Sequence, residues 1–546
     1  MNQEETLNLW ANGRRVWNLW ARNILDQRRK LEGKSEWGLV TDTQGNQVPQ
    51  NQKTKQWMDD ATVIFSGSFA ATSSDHIIDF SELVFPYKAV FRDVHFQNEV
   101  SFWSAYFHGQ VTFERCTFQK TASISNVKFH SNAQLVNTVF LENTSFDKSV
   151  FEHGLEITNV LGKGLVSFKQ CDINAITTAQ KTRFEGKVDF SSTEFHSIAW
   201  FDTSEFLDVA YFRDTTFHKQ ARFPEVQFSK SARFDRTTFK QNALFTNASF
   251  GISAVFNGAK FEKSAWFQQT KWKNKIQFHG VDFLGEVNMN GAIFDGNVWF
   301  NSCLFAKPVQ LTNSRFISSA SFNSAQIRQA FDLSGVRFGE VPDFKQTHCE
   351  EAPLLDDVQI ASAIVEQRKF LQKPDFTISA NYRALKRLAI QAHDHKHEVD
   401  FFAEELKTRR LMVYRPSDPN WWLSFLFEEL SDYGRSIVRP LMYWLGVVML
   451  SAVHYIAMAT PLAPDRTTEC LAGAGSQVNT AYQLAFAKGL LVPGLADRTI
   501  VTQAYDCLFG DIIPGSATIV ASIQTLLSAI LLFLLLLGIR NRFKLK

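Results

Sequence analysis

Phenylalanine recurs through the middle of the chain with a spacing that alternates between five and six residues. The stretch SARFDRTTFKQNALFTNASF shows this spacing at Phe234, Phe239, Phe245 and Phe250. The combined period is eleven residues, and we find no insertion or deletion in it from Phe80 to Phe344. The composition reflects the repeat, with 51 Phe against 10 Tyr and 13 Trp. A period kept over this length restricts the fold to a repetitive structure.

Two regular structures can have a period of eleven. A helix with about 3.67 residues per turn repeats after eleven residues. However, a small or β-branched residue stands two positions before most phenylalanines, as Ala199 does before Phe201 and Ala232 before Phe234. On a helix these positions would scatter around the axis, whereas residues i−2 and i of a strand point to the same side. The pattern therefore predicts a solenoid of short strands with both residues inside.

A small residue two positions before a central Phe, repeated about every five residues, resembles the pentapeptide repeat proteins. The resemblance implies an all-β, right-handed quadrilateral β-helix with one repeat on each side, so that two eleven-residue units form one coil. The chain differs from the plain repeat because every second repeat is one residue longer, which implies wider alternate corners. Gly162 and Ala179 replace the large inward residue, and we expect a local defect or a protruding loop there.

Composition divides the chain into five segments. Leu9, Trp17, Trp20 and Ile24 have helix-like spacing, which predicts a helical cap for the solenoid or, alternatively, a helix on a membrane surface. The predicted segments are a helical cap over 1–60, the β-helix over 61–344, a helical connector over 345–420, an interfacial helix over 421–439 and a two-helix membrane domain over 440–546.

Outward positions of the repeat carry apolar side chains at multiples of 22 residues. Trp200, Leu244 and Trp266 share one side of the predicted β-helix, and Tyr211, Val255 and Trp299 share another. An apolar stripe on a solenoid is a possible docking surface. The alternative is that these residues are ordinary exposed side chains that lean on their neighbours.

Two apolar stretches near the C-terminus, residues 441–460 and 517–539, are long enough to span the hydrocarbon core of a bilayer. Arg435 and Arg439 precede the first stretch, and Arg540 and Arg542 follow the second. The positive-inside rule then predicts that both termini and the β-helix are cytoplasmic and that the 461–516 loop is extracytoplasmic. We expect a bacterial inner (plasma) membrane location. His454 and Gln524 are polar residues within the spans, and are candidates either for function or for a helix–helix hydrogen bond.

The loop between the spans contains the sequence CLFGDIIPG. Two spans flanking such a segment resemble the pore module of two-helix potassium channels, with Gly510, Asp511 and Pro514 at the closing positions of the filter motif. Leu508 stands where that filter needs a glycine and Asp506 where it needs a threonine. A side chain at Leu508 conflicts with the backbone geometry of a selectivity filter.

Cysteine and histidine positions suggest two further features. Cys470 and Cys507 are the cysteines of the 461–516 loop, and they can form a disulfide if the loop faces an oxidising compartment. In HDHKH of the connector, His393 and His397 are four residues apart. Two histidines without a third ligand do not predict a metal site, and we interpret them as a solvated helix face.

No catalytic constellation, phosphate-binding loop or HExxH motif is present in the sequence. We therefore predict a protein that is not an enzyme and uses no cofactor. The formal net charge of +2 argues against nucleic acid as a partner. The predicted function is a membrane-anchored interaction platform for an unknown protein partner. The alternative is a channel-like, pore-forming homo-oligomer with a cytoplasmic β-helical regulatory domain.

Overall fold

The structure is a computed structural model that describes residues 1–43, 47–70, 77–361, 373–460, 477–490 and 498–543. The chain divides into two compact units, Met1–Ala363 and Ile364–Lys546. The first unit contains the repeat and the second contains the apolar stretches.

The repeat forms a β-solenoid of about 13 turns. Each coil has four short strands, and each strand pairs in parallel with the strand 22 residues later, as Ala199 pairs with Ala221. We call the four sides of the coil side 1 to side 4 in chain order. Their two-residue strands include Ala199–Trp200, Glu205–Phe206, Ala210–Tyr211 and Thr216–Phe217 on sides 1 to 4 of one coil.

The solenoid begins with two longer strands, Val63–Phe69 and Ala89–Phe96, which each run through sides 1 and 2. The first strands of sides 3 and 4 are Ile77–Asp79 and Val84–Phe85. The last strands of sides 1 to 4 are Phe331–Asp332, Gln359–Ile360, Ala320–Ser321 and His348–Cys349.

Phenylalanine rings fill the interior. Ala199 and Phe201 are both fully buried, which confirms the prediction that both turn inward. Phe201 stacks on Phe223 of the next coil with ring centroids 4.9 Å apart, and meets Phe212 of the opposite side edge to face at 5.7 Å. Stacked and edge-to-face pairs are the arrangements that aromatic rings favour. Because each ring is covered by the next coil, one coil cannot bury its own core.

The corners explain the alternation of five and six. Residues with positive φ recur every eleven positions from Glu82 to Asp357. Each lies in the five-residue step, as Arg236 does between Phe234 and Phe239 at φ +53°. The six-residue steps make their corners without such a residue. The left-handed backbone conformation costs a residue other than glycine roughly 1–2 kcal/mol. The pairing of adjacent coils must therefore offset this cost at every second corner.

Buried hydroxyl groups bridge adjacent coils at the same corners. The residue after the left-handed position is often Thr or Ser, and its side chain donates to a carbonyl 25 residues earlier. Thr215 donates to Phe190 at 2.7 Å, and Ser314 donates to Met289 at 2.7 Å. These bonds satisfy polar groups in an otherwise apolar interior.

The N-terminal helices close one end of the ring stack. They are α1 (Gln3–Ala11), α2 (Arg14–Gly33) and α3 (Gln52–Ala61), with a hairpin of Leu39–Thr41 and Gln47–Pro49 before α3. The Trp10 ring stacks on Phe80 at 5.1 Å, and the buried Trp17 donates its indole N–H to the Val84 carbonyl at 2.8 Å. These contacts place α1 and α2 over the first coil, as a cap requires. The hairpin is not evident from the helical spacing.

The strand ladder continues past Phe344, where the prediction ended it. Phe338 pairs with Ile360, and Ile327 pairs with Cys349. The period persists there as Cys349, Leu355 and Ile360, but it no longer contains Phe.

No loop protrudes at Gly162 or Ala179. Both residues stay in the strand ladders, and Gly162 pairs between Phe140 and Phe184. The predicted protrusion is therefore wrong, because smaller side chains fit without a change in register.

The second unit begins with two helices that pack together, α4 (Thr377–Gln391) and α5 (His395–Met412). The helix predicted through HDHKH is interrupted at His393, which has φ +55°, and the Asp394 side chain accepts a hydrogen bond from the His397 amide to begin α5. His393 and His397 therefore do not share a helix face, which corrects that part of the prediction.

The helices that follow contain the apolar stretches. They are α6 (Pro419–Ser431), α7 (Val438–Met458), α8 (Gln477–Gly489), α9 (Arg498–Phe509) and α10 (Gly515–Phe543). Asp432, Tyr433 and Gly434 all have positive φ and separate α6 from α7, so the interfacial helix ends before residue 439. Trp444, Leu484 and Leu508 belong to one buried cluster that joins α7, α8 and α9. The segment 461–516 thus includes two packed helices.

Candidate functional site

Side 1 carries the first predicted stripe. Successive strands of this side carry, in register, Trp200, Arg222, Leu244 and Trp266. Trp266 is 39% exposed, whereas Trp200 and Leu244 are half-buried. The Arg222 guanidinium lies 5.8 Å from the Trp200 ring centroid. The three apolar residues therefore share one ladder, and a cation separates Trp200 from the other two.

The second stripe lies on side 3, opposite side 1. Tyr211, Arg233, Val255, Gln277 and Trp299 follow one another in register. Val255 is only 5% exposed, so it contributes little to the surface. The Arg213 guanidinium lies 5.0 Å from the ring centroid of Tyr211. The Lys275 ammonium lies 5.9 Å from the ring centroid of Trp299. The two stripes are therefore separate surfaces, and each mixes aromatic and cationic side chains. Sequence reasoning missed Trp103, which is 48% exposed.

Two helices, α7 and α10, are long and apolar enough to cross a membrane. In each helix, only 28% of an apolar stretch of 18 residues is buried within the protein. Large side chains point outward, including Leu450 at 74% exposed, Phe533 at 65% and Leu526 at 64%. The core helix of a water-soluble protein would bury most of this surface.

Gln524 joins three helices. Its side-chain N–H donates to the Ala485 carbonyl of α8, and its oxygen accepts a hydrogen bond from the Tyr455 hydroxyl of α7 at 2.9 Å. Gln524 and Tyr455 are both buried. His454, the other polar residue of the spans, is half-buried, and its Nε2 has no hydrogen-bond partner among the described residues.

The filter-like segment is largely helical. Asp506 and Leu508 lie in the last turn of α9, and Leu508 is fully buried. The Leu508 carbonyl accepts a hydrogen bond from the Thr460 amide at 2.9 Å. Gly510 follows with φ +68°, and Asp511 and Pro514 lie between α9 and α10. A row of carbonyls directed at an ion requires an extended segment, which residues 506–509 do not provide.

The cysteines fall into two groups. Cys507 is disulfide-bonded, but its predicted partner, Cys470, lies outside the described residues, so the pairing stays a prediction. Four others, Cys116, Cys171, Cys303 and Cys349, are buried in the solenoid. Burial raises the pKa of the Cys116, Cys171 and Cys303 thiols to about 12, and that of Cys349 to about 11. A high pKa and burial make a thiol unreactive.

A buried carboxylate ties α4 to α5. Glu405 is 4% exposed and accepts hydrogen bonds from Arg383 and Lys386, each at 2.9 Å. Burial alone raises the pKa of the Glu405 carboxyl, but the two cations hold it below its ordinary value. The carboxylate is therefore stabilised in its charged form by two partners on the neighbouring helix.

Comparison with known families identifies the repeat. A family model described as pentapeptide repeats, with nine copies, matches residues 113–161, 179–227, 223–271 and 267–307. The first two matches are separated by residues 162–178. In this interval Gly162 and Ile173 stand at inward positions that Phe occupies in most other coils. Comparisons with curated proteins and with solved structures find no match. The potassium-channel resemblance receives no support from these comparisons. The matched residues show that the solenoid contains pentapeptide repeats.

Proposed function

We propose that the chain is an integral membrane protein that uses its pentapeptide-repeat solenoid as a docking platform for another protein. The observation that carries this proposal is the outward apolar surface of α7 and α10, typified by Leu450 and Phe533. Exposed apolar areas of this extent are unfavourable in water and suit a lipid environment.

The helix α6 supports the same assignment. Trp422, Leu423 and Leu426 are exposed at 51%, 66% and 47%. Aromatic side chains on an amphipathic helix suit the boundary between headgroups and acyl chains. Arg439 before the first span and Arg540 after the second then favour cytoplasmic termini and a cytoplasmic solenoid.

The platform role follows from the nature of the solenoid. Solenoid proteins of this family are generally structural or interaction proteins. A ladder of strands holds each outward side chain at a fixed spacing, so Trp266 and Trp299 are presented on a rigid surface. Trp266 is exposed and Trp299 lies beside Lys275, and Trp is among the residue types that most often dominate protein interfaces.

Two measurements test the proposal. Membrane fractions of expressing cells should retain the chain after alkaline extraction, and release into the soluble fraction contradicts the membrane assignment.

For docking, a photo-crosslinking residue is placed at Trp266, at Trp299, or at the control position Lys260 on side 4. A discrete crosslinked protein from a stripe position but not from Lys260 is expected. Absence of a product from both stripes contradicts the platform.

A further inference from the structure

Four side chains that can bind a metal meet on side 4 of the solenoid. Asp172 and Glu194 are in-register neighbours on adjacent coils. His196 follows Glu194 by two residues and therefore points to the same outward face. His218 occupies the equivalent position one coil later, since its amide donates to the Phe195 carbonyl at 2.9 Å. Three successive coils thus contribute to one patch.

The distances within the patch are short. Glu194 Oε2 lies 2.6 Å from His218 Nε2, and Asp172 Oδ1 lies 2.9 Å from His196 Nε2. The two imidazole rings stack with centroids 4.4 Å apart and planes 22° apart. One potential ligand atom from each of Glu194, His196 and His218 lies within 4.8 Å of the other two. Small side-chain rotations would bring these atoms to the separations found around a tetrahedral metal.

Asp172 adds a fourth ligand, a carboxylate oxygen, to the three-residue group. Its Oδ1 is shielded from solvent and lies 2.9 Å from His196 Nε2, so a bound ion would replace this contact with a metal–oxygen bond. The Asp172 side chain as a whole is 48% exposed, which leaves the site open to an ion from solution. Lys240 Nζ lies 3.2 Å from His218 Nδ1. A lysine that donates to Nδ1 places the proton of a neutral ring on Nε2, so binding of an ion to Nε2 requires that Lys240 leave Nδ1.

We propose that Asp172, Glu194, His196 and His218 bind a divalent transition metal ion of the Zn²⁺ class. Two imidazoles with carboxylates form a ligand set that suits zinc and its neighbours. Mg²⁺ and Ca²⁺ prefer oxygen ligands throughout. The ion is expected to bind neutral imidazoles and ionised carboxylates.

The position of the site suggests a structural role. The ligands span the coil in which Ile173 and Ala179 replace the usual Phe, where the aromatic stack is incomplete. An ion held by residues from three coils would crosslink the solenoid at this point. Binding to the folded state alone stabilises that state.

The test uses the untagged full-length chain, purified in detergent and stripped with a chelator. Zn²⁺ alone is titrated in competition with a chromogenic chelator, and Co²⁺ absorption reports the ligand geometry. We expect one Zn²⁺ per chain and a Co²⁺ spectrum typical of tetrahedral nitrogen and oxygen ligands. His218→Ala and Asp172→Asn should each weaken binding by more than about tenfold.

The matched control is His130→Ala. His130 occupies the position of His196 in an earlier coil and contacts Glu152. It is not part of the proposed site. Circular dichroism confirms that each variant is folded. The proposal is overturned if the wild-type chain binds no stoichiometric Zn²⁺, if both site variants bind as tightly as the wild type, or if His130→Ala causes the same loss.

Discussion

The ring of Phe234 lies parallel to that of Phe212, one coil earlier, with centroids 4.7 Å apart and planes 3° apart. Phe234→Asp removes this stack and buries a carboxylate without a partner. We expect a loss of about 4 kcal/mol or more in the free energy of unfolding, with several coils melting together. Thermal unfolding of the full chain in detergent, followed by circular dichroism, measures the effect.

The control for that change has to be an outward residue without a buried partner. Arg233 is unsuitable because it donates to Asp235, which is only 8% exposed. Thr238 is half-buried on side 4, and its ladder neighbours are Thr216 and Lys260. Thr238→Asp should change the free energy of unfolding by less than about 0.5 kcal/mol. Equal tolerance of Phe234→Asp and Thr238→Asp would show that the inward register is wrong.

Gln524 and Tyr455 form a pair that a double-mutant cycle can measure. Because both are buried, each single change, Gln524→Leu or Tyr455→Phe, leaves the partner without its hydrogen bond. We expect a coupling energy of about 0.5–2 kcal/mol from unfolding in mixed micelles. Thr525→Val is the control, since among the described residues the Thr525 hydroxyl donates within its own helix, to the Ala521 carbonyl. A coupling energy of zero would mean that the pair does not hold the helices together.

Glu405 gives the second unit a dependence on pH. The pKa of its carboxyl is lowered in the folded state, so its contribution to stability is complete above the unfolded value of 4.5. That contribution is lost as the pH falls below 4.5 toward the folded pKa. Glu405→Gln should therefore destabilise the connector at neutral pH and flatten its acid unfolding curve. An unchanged acid midpoint would contradict this assignment.

Thiol labelling tests the cysteines. The buried solenoid thiols with raised pKa values should react slowly with maleimide in the folded protein at neutral pH. In denatured but non-reduced protein these four cysteines should label, while Cys470 and Cys507 should not. Reduction should then expose two further thiols. Labelling of all six cysteines before reduction would show that no disulfide joins them.

Membrane topology is the fifth prediction. A reporter fused after Lys546, or inserted before Trp421, should give a cytoplasmic signal because the basic residues flank the outer ends of both spans. A reporter within 461–476 should give an extracytoplasmic signal. A periplasmic signal at either of the first two positions would contradict the orientation.

Much of the solenoid could be predicted because its pattern is local and repeated. Ala199 and Phe201 revealed the strand, and the two apolar stretches revealed α7 and α10. The end of the solenoid could not be placed, because Cys349, Leu355 and Ile360 keep the period without Phe. The interruption at His393 was also missed, since a left-handed residue leaves no periodic signal.

The site residues were harder to predict. The stripes follow from spacing in multiples of 22, but the burial of Val255 depends on neighbouring side chains. The metal cluster depends on Glu194, His196 and His218 meeting across coils. His196 and His218 are 22 residues apart, as are Asp172 and Glu194, and a search for histidines and carboxylates at that interval would have found them.

The equivalence of successive eleven-residue units has a consequence for how this protein can change length. Loss or duplication of 22 residues would shorten or lengthen the solenoid by one strand spacing of about 4.8 Å and leave every surface group facing as before. Loss of eleven would also preserve the aromatic interior, because side 1 and side 3 have the same inward pattern. It would, however, turn everything downstream by half a revolution, so that Trp266 would face away from Trp200. Deletions in this chain can therefore redirect a surface without unfolding it.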